Sequence, residues 1–128
     1  MTVPFWCLLV VSLIPLVLTW VGAYFRKQQL GEVDNKNPRA QYALLTGVGA
    51  RAVAAQQNAW EALLVFATAV FVAHLAGADA AKAALAAQVF VIARVLHALF
   101  YLMDKDALRS LVFMVGLGCC IWLYVLAA

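Results

Sequence analysis

VPFWCLLVVSLIPLVLTWVGAYF, residues 3–25, carries no charged side chain. A helix of that length reaches about 35 Å, and the hydrocarbon core of a bilayer is about 30 Å thick. A cleaved signal peptide would show a basic lead-in and a shorter apolar core. Here no basic residue precedes the run. It is read as an uncleaved first transmembrane helix, in which Pro15 is tolerated because neighbouring helices can re-satisfy the backbone.

The rest of the chain agrees. Of 128 residues 67% are hydrophobic and only 12% charged, with a mean hydropathy of +0.94. Soluble domains of this size are about half apolar and a quarter charged. An integral membrane protein made of one bundle is implied, with the lipid bilayer as its first partner. The net charge of +3 is not gathered into a cluster, so nucleic acid is not an expected partner. Cys7, Cys119 and Cys120 lie in apolar segments without ligand spacing, and read as small buried hydrophobes with no metal site.

Further spans are predicted at 42–76, 80–103 and 107–126. The polar stretch RKQQLGEVDNKNPRAQ, residues 26–41, holds the breakers Gly31 and Asn37-Pro38. Gly77-Ala78-Asp79 and Asp104-Lys105-Asp106 are short turns, with Asp79 a candidate N-cap. The segment 42–76 is longer than a bilayer requires, so its polar N-terminal end is expected to project into water. Short connections between four spans predict an all-α integral membrane fold, an antiparallel four-helix bundle. Arg26, Lys27, Lys36, Arg39 and Lys105 lie in the first and third loops, whereas the second has only Lys82. The positive-inside rule then puts residues 26–41 and 104–106 in the cytoplasm and both termini outside, in what is expected to be a bacterial inner membrane.

One stretch is out of place in lipid: RAVAAQQNAWE, residues 51–61. A carboxylate, an arginine and amides at membrane depth face a protein interior or a wet cleft, and mark a candidate site. Arg51, Asn58 and Glu61 fall on one helix face by spacing. Arg94, His97 and Tyr101 do the same on the next span. Counting inward from Gly77, Glu61 and Arg94 reach the same depth. Glu61 and Arg94 can be read as a structural ion pair, and His97, Gln56, Gln57 and Asn58 as interhelical hydrogen-bond partners. Arg51 and Tyr101 can be interface anchors. Together the two stripes suit a polar, anionic small molecule, since arginine pairs with carboxylates in fork geometry. His74 and Gln88 lie off these stripes and read as packing or interface residues.

These residues resemble a known family. RAVAAQQNAWE, the segment RVLHALFYL at 94–102 and LRSLVF at 108–113 are similar, in order, to the MAPEG family, the membrane-associated proteins in eicosanoid and glutathione metabolism. The DNKNPRAQ loop resembles small bacterial members. The resemblance implies a homotrimer of four-helix subunits with glutathione at subunit interfaces. It also implies roles: Asn58 and Glu61 at the glutathione site, Arg94, His97 and Tyr101 lining the same cleft, Arg109 activating the thiol, and Ser110 donating to the sulfur. The sequence departs from the pattern at Ala54, where a second arginine is usual, at Ala50, where an acid is usual, and at Phe113, where a tyrosine is common.

Three functions are then in play. One is a glutathione-dependent transferase or peroxidase acting on a lipophilic small molecule. Another is a non-catalytic scaffold or accessory subunit of a larger membrane complex, which Ala54 favours. A third is a small proton-coupled exporter. Pairing of Glu61 with Arg94 would weigh against the exporter, because a transport carboxylate must titrate and an adjacent arginine opposes that.

Overall fold

The computed structural model describes residues 1–128. The chain is all helical: α1 (Val3–Leu30), α2 (Pro38–Tyr42), α3 (Gly47–Leu75), α4 (Ala80–Leu102) and α5 (Asp106–Ala127). Every helix but the five-residue α2 is long and apolar enough to cross a membrane. The chain is therefore a multi-pass integral membrane protein. Around the bundle the order is α1, α3, α5, α4, and α3 also packs on α4 across the middle.

Small side chains set the helix spacing. Ala69, Ala73, Ala83, Ala86 and Ala87 are buried between α3 and α4. Residues without bulk let helices approach closely, which is where membrane helices gain packing energy. Phe66 of α3 stacks on Phe90 of α4, ring centroids 4.0 Å apart and planes within 7°. Cys7, Val11, Cys120 and Leu123 complete this core from α1 and α5. Cys120 is buried and its neighbour Cys119 only half-buried, their directions on the helix differing by about 100°. Pro15 lies within α1 without ending it.

Asp79 caps α4, its carboxylate accepting from the Lys82 amide at 2.9 Å. The turn before it uses Gly77 at φ 72°, and the next turn bends at Asp104, φ 60°.

The first connection differs from its expected form. α1 continues past Phe25 to Leu30 and stops at Gly31, whose φ of 83° is the left-handed conformation that ends helices. Arg26, expected in the loop, lies on this last stretch and is only 4% exposed. Its Nη1 donates to Gln41 Oε1 at 3.4 Å and its guanidinium sits 4.9 Å over the Tyr42 ring. Asp34 accepts from the Lys36 and Asn37 amides at 2.8 and 3.2 Å. The Lys36 amide, then that of Asn37, holds its carboxyl below the usual carboxylate value.

The second span begins at Gly47, not at residue 42. Tyr42 belongs to α2, and Thr46 is extended. The break is stabilised from α1: Gln29 Oε1 accepts from the Thr46 amide at 3.0 Å, and Gln29 Nε2 donates to the Thr46 carbonyl at 3.1 Å. Its 29 residues make α3 about 44 Å long, shorter than the expected projecting helix. Just beyond, Gly49 lets α3 approach α1. A Cβ there would lie 3.0 Å from both Phe25 Cβ and Gln29 Nε2. Gly49→Val should therefore destabilise the fold by about 1–3 kcal/mol through overpacking, seen as a lower thermal midpoint in detergent. Gly118, with nothing near its absent Cβ, is the control and should tolerate alanine.

Candidate functional site

The polar stripes meet between α3, α4 and α5. Arg94 is 3% exposed, and its Nη2 donates to Asn58 Oδ1 at 2.7 Å and to the Asn58 carbonyl at 3.5 Å. Asn58 Nδ2 donates to Glu61 Oε2 at 3.5 Å. The carboxylate thus reaches the guanidinium only through the amide. The direct Glu61–Arg94 ion pair read from matched depth does not form. Equal depth along two helices does not fix the angle at which side chains leave them, and Asn58, one turn away, faces α4 more directly. Glu61 points outward and is exposed.

Two adjoining cavities flank this chain of bonds. The first, about 190 Å³, lies near the middle of the bundle. Asn58, Glu61 and Arg94 form its polar rim, and Val65, Phe90, Phe113, Gly116 and Leu117 are among its apolar walls. The second, about 290 Å³, lies nearer the end where α5 begins, and is lined by Asn58, His97, Tyr101, Arg109, Ser110 and Phe113 with Met114. Asn58 and Phe113 belong to both and form the wall between them.

The second cavity is arranged for charge recognition. His97 is 3% exposed, and its Nδ1 has no hydrogen-bond partner. Its ring lies 5.6 Å from Tyr101 and 6.2 Å from Phe113. The Arg109 guanidinium rests 4.3 Å over the Tyr101 ring. Stacking leaves the edges of the guanidinium free to donate. Ser110 is exposed beside it.

Seven of the expected site residues therefore line one composite cleft: Asn58, Glu61, Arg94, His97, Tyr101, Arg109 and Ser110. Arg51 is not brought there. Its Nε donates to the Leu102 carbonyl at 3.3 Å, and Nη1 lies 3.7 Å from Asp104 Oδ2. It fastens α3 to the α4–α5 turn. Gln56 donates to Thr19 Oγ1 at 3.1 Å and ties α3 to α1. His74 packs edge-on against Phe5, centroids 4.9 Å apart. The apolar walls Val65, Phe90, Gly116 and Leu117 were not anticipated, because apolar residues in apolar helices carry no signal of their own. Gly116, small and buried opposite Phe90, was the one available sign.

A four-span bundle with Arg94 and Arg109 lining a cleft between its helices is a polytopic membrane protein. The chain belongs to the MAPEG family, whose family model matches residues 3–128, essentially its entire length. No curated protein and no solved structure gives a significant match to it.

Proposed function

We propose that this protein is a membrane-embedded, glutathione-dependent transferase or peroxidase-like protein acting on lipophilic electrophiles. The observation that carries the reading is the pairing of a cationic cavity with an apolar one across a shared wall of Asn58 and Phe113. The family supplies glutathione as the ligand class, and the residues present fit it. Two arginines and an amide along the cleft suit a peptide with free carboxylates. In this reading Arg94, Asn58, His97 and Tyr101 bind and orient the tripeptide. Bound glutathione supplies a thiol nucleophile. Arg109 stabilises negative charge on the sulfur, and Ser110 donates to it. The protein's main contribution is holding two reactants at one place.

The exposed Glu61 supports assembly. It shares an outward stripe on α3 with Gln57, Leu64 and Thr68. A carboxylate near the middle of a bilayer needs a protein neighbour, and a second copy of the chain against α3 provides one. The homotrimer typical of the family is the proposed assembly, with the cleft at a subunit boundary. Orientation follows the basic loops: residues 26–41 and 104–106 cytoplasmic, termini outside, in a bacterial inner membrane.

Calorimetry of the purified protein against glutathione, with thiol transfer to a hydrophobic aryl halide, tests the reading. Saturable heat at millimolar thiol and turnover are expected; absence of both sinks it. Arg51→Gln should change glutathione affinity less than about threefold, because Arg51 is engaged at the turn; a loss above tenfold, or about 1.4 kcal/mol, would return it to the site.

A second reading is favoured by one residue. Ala54 gives neither cavity the arginine that its position often carries in the family. A non-catalytic scaffold or accessory subunit of a larger membrane complex would show no turnover, and a stable partner would lose activity on its deletion.

A further inference from the structure

The outward face of α4 carries an amide that nothing else in the subunit answers. Leu85, Gln88, Ile92, Val95 and Leu99 follow one another at alternate steps of three and four residues. That spacing averages 3.5, the repeat of a coiled-coil seam. All five are exposed, the four apolar ones between 42% and 63%. Because α3 and α4 stand diagonally across the bundle, this seam points away from the α3 stripe of Gln57, Glu61, Leu64 and Thr68. From its pattern and its single amide we infer that it is a second self-association surface: two copies of the chain pair there, α4 beside α4, with Gln88 meeting Gln88. The contact is independent of the thiol chemistry and of assembly through α3.

Exposed apolar side chains need no partner in a membrane, since lipid covers them. Gln88 is different. It lies eight residues after the start of α4 at Ala80, about 12 Å along the helix. From that depth a glutamine is too short to bring its amide back to the headgroups, as a lysine can. The groove it borders, about 560 Å³ between α1 and α4, is otherwise lined by Val3, Trp6, Cys7, Val10, Val91 and Ile92. None of these side chains carries an amide, carboxyl or hydroxyl. Gln56 and Asn58, by contrast, are satisfied within the subunit by Thr19 and Arg94. An amide facing hydrocarbon is costly until another helix supplies its partner.

A second copy of the chain supplies it by symmetry. Copies inserted in the same orientation pair about a two-fold axis along the membrane normal, which sets identical residues at identical depth. A primary amide has both donor and acceptor, so two glutamines facing each other across that axis exchange two hydrogen bonds. The apolar seam then pairs in register, Leu85 with Leu85 and Ile92 with Ile92, and its one polar member fixes that register. The groove between α1 and α4 leaves room for side chains of the incoming helix. A helix of another protein would need a matching polar group at this one depth. Where α3 joins copies into a trimer, each trimer presents three such seams, and pairing between trimers builds larger clusters.

The test is oxidative cross-linking of the full-length chain in vesicles with excess lipid. Cys7, Cys119 and Cys120 are replaced by alanine, and one reporter cysteine is placed on α4. Leu85→Cys and Ile92→Cys lie on the seam; Val89→Cys and Val91→Cys lie half-buried on its two flanks. A membrane-permeant oxidant is expected to give covalent dimers at the seam positions and few at the flanks. Adding Gln88→Leu to Ile92→Cys should lower the dimer yield about tenfold, the scale of a polar contact between membrane helices. Gln88→Asn should retain part of the yield. Because Gln88 is exposed, Gln88→Leu should keep the unsubstituted protein's thermal midpoint, so the loss reports association and not unfolding. No dimer at the seam positions, equal yields on seam and flanks, or a yield that Gln88→Leu leaves unchanged overturns the pairing. A protein of different sequence trapped on the seam in native membranes, in place of the second copy, overturns it as well. Glutathione binding and turnover enter none of these readouts, so the pairing and the thiol-transfer reading stand or fall separately.

Discussion

Arg94→Met is expected to abolish measurable glutathione binding and to lower the thermal midpoint of the protein in detergent. Both effects should come from one contact, the 2.7 Å bond from Arg94 Nη2 to Asn58 Oδ1. Hydrogen bonds between membrane helices average about 0.6 kcal/mol and reach about 1.7. A charged, buried donor belongs at or above the top of that range, so a loss of about 2 kcal/mol is expected. Part of the cost is the unpaired Asn58 left behind. Asn58→Leu combined with Arg94→Met removes both partners, and should be less destabilised than the two single variants added together, by about 1–2 kcal/mol. The double variant should thus lose less stability than the sum of its parts and still fail to bind ligand. That combination separates a structural clamp from a recognition group. If Arg94→Met kept full stability and full affinity, neither role would survive. Glu61→Gln is a milder change at an exposed side chain, and should leave the midpoint of the isolated subunit nearly unmoved.

How much of this was legible in the sequence depends on what each feature rests on. The four spans could be read because apolar length and charge are one-dimensional quantities, and the Asp79 cap because it acts within three residues. The start of α3 at Gly47 could not be read. It depends on Gln29, seventeen positions earlier in the chain, bonding both backbone groups of Thr46. Periodicity placed Arg51 on a stripe with Asn58 correctly, but a long side chain one turn from the helix end can reach the Leu102 carbonyl and Asp104 instead of the cleft. The same limit produced the direct Glu61–Arg94 pair, where depth agreed and direction did not. The cleft's polar half was marked by residues rare in lipid. Its apolar half was invisible, since Val65, Phe90 and Leu117 differ in nothing but position from dozens of similar residues.

Arg109→Leu is expected to reduce kcat for thiol transfer by about 10²–10³, the scale measured when one preorganised donor to developing charge is removed, with a much smaller change in glutathione affinity. The split follows from placement. In the proposed reading affinity rests on Arg94, Asn58 and His97, deeper in the cleft, whereas Arg109 lies at the start of α5 with its guanidinium over Tyr101, 4.3 Å from the ring centroid. That stack fixes the plane of the cation without using its donors, so the group is in position before the thiol arrives. A free thiol of this type ionises near pH 8.5. A cation beside bound sulfur favours the thiolate, so the wild-type rate should rise through a pH below that value. In Arg109→Leu the rise should move up toward the pKa of the free thiol, by about one pH unit or more, equivalent to about 1.4 kcal/mol. Arg109→Lys keeps the charge but loses the planar stack on Tyr101. It should restore the pH profile in part while leaving kcat low. Tyr101→Leu tests the support from the other side, and should lower kcat together with glutathione affinity, because Tyr101 also lines the binding cavity. An unshifted pH profile in Arg109→Leu would show that the arginine does not act on the sulfur. Loss of glutathione binding in the same variant would make Arg109 a binding group rather than one that activates the nucleophile.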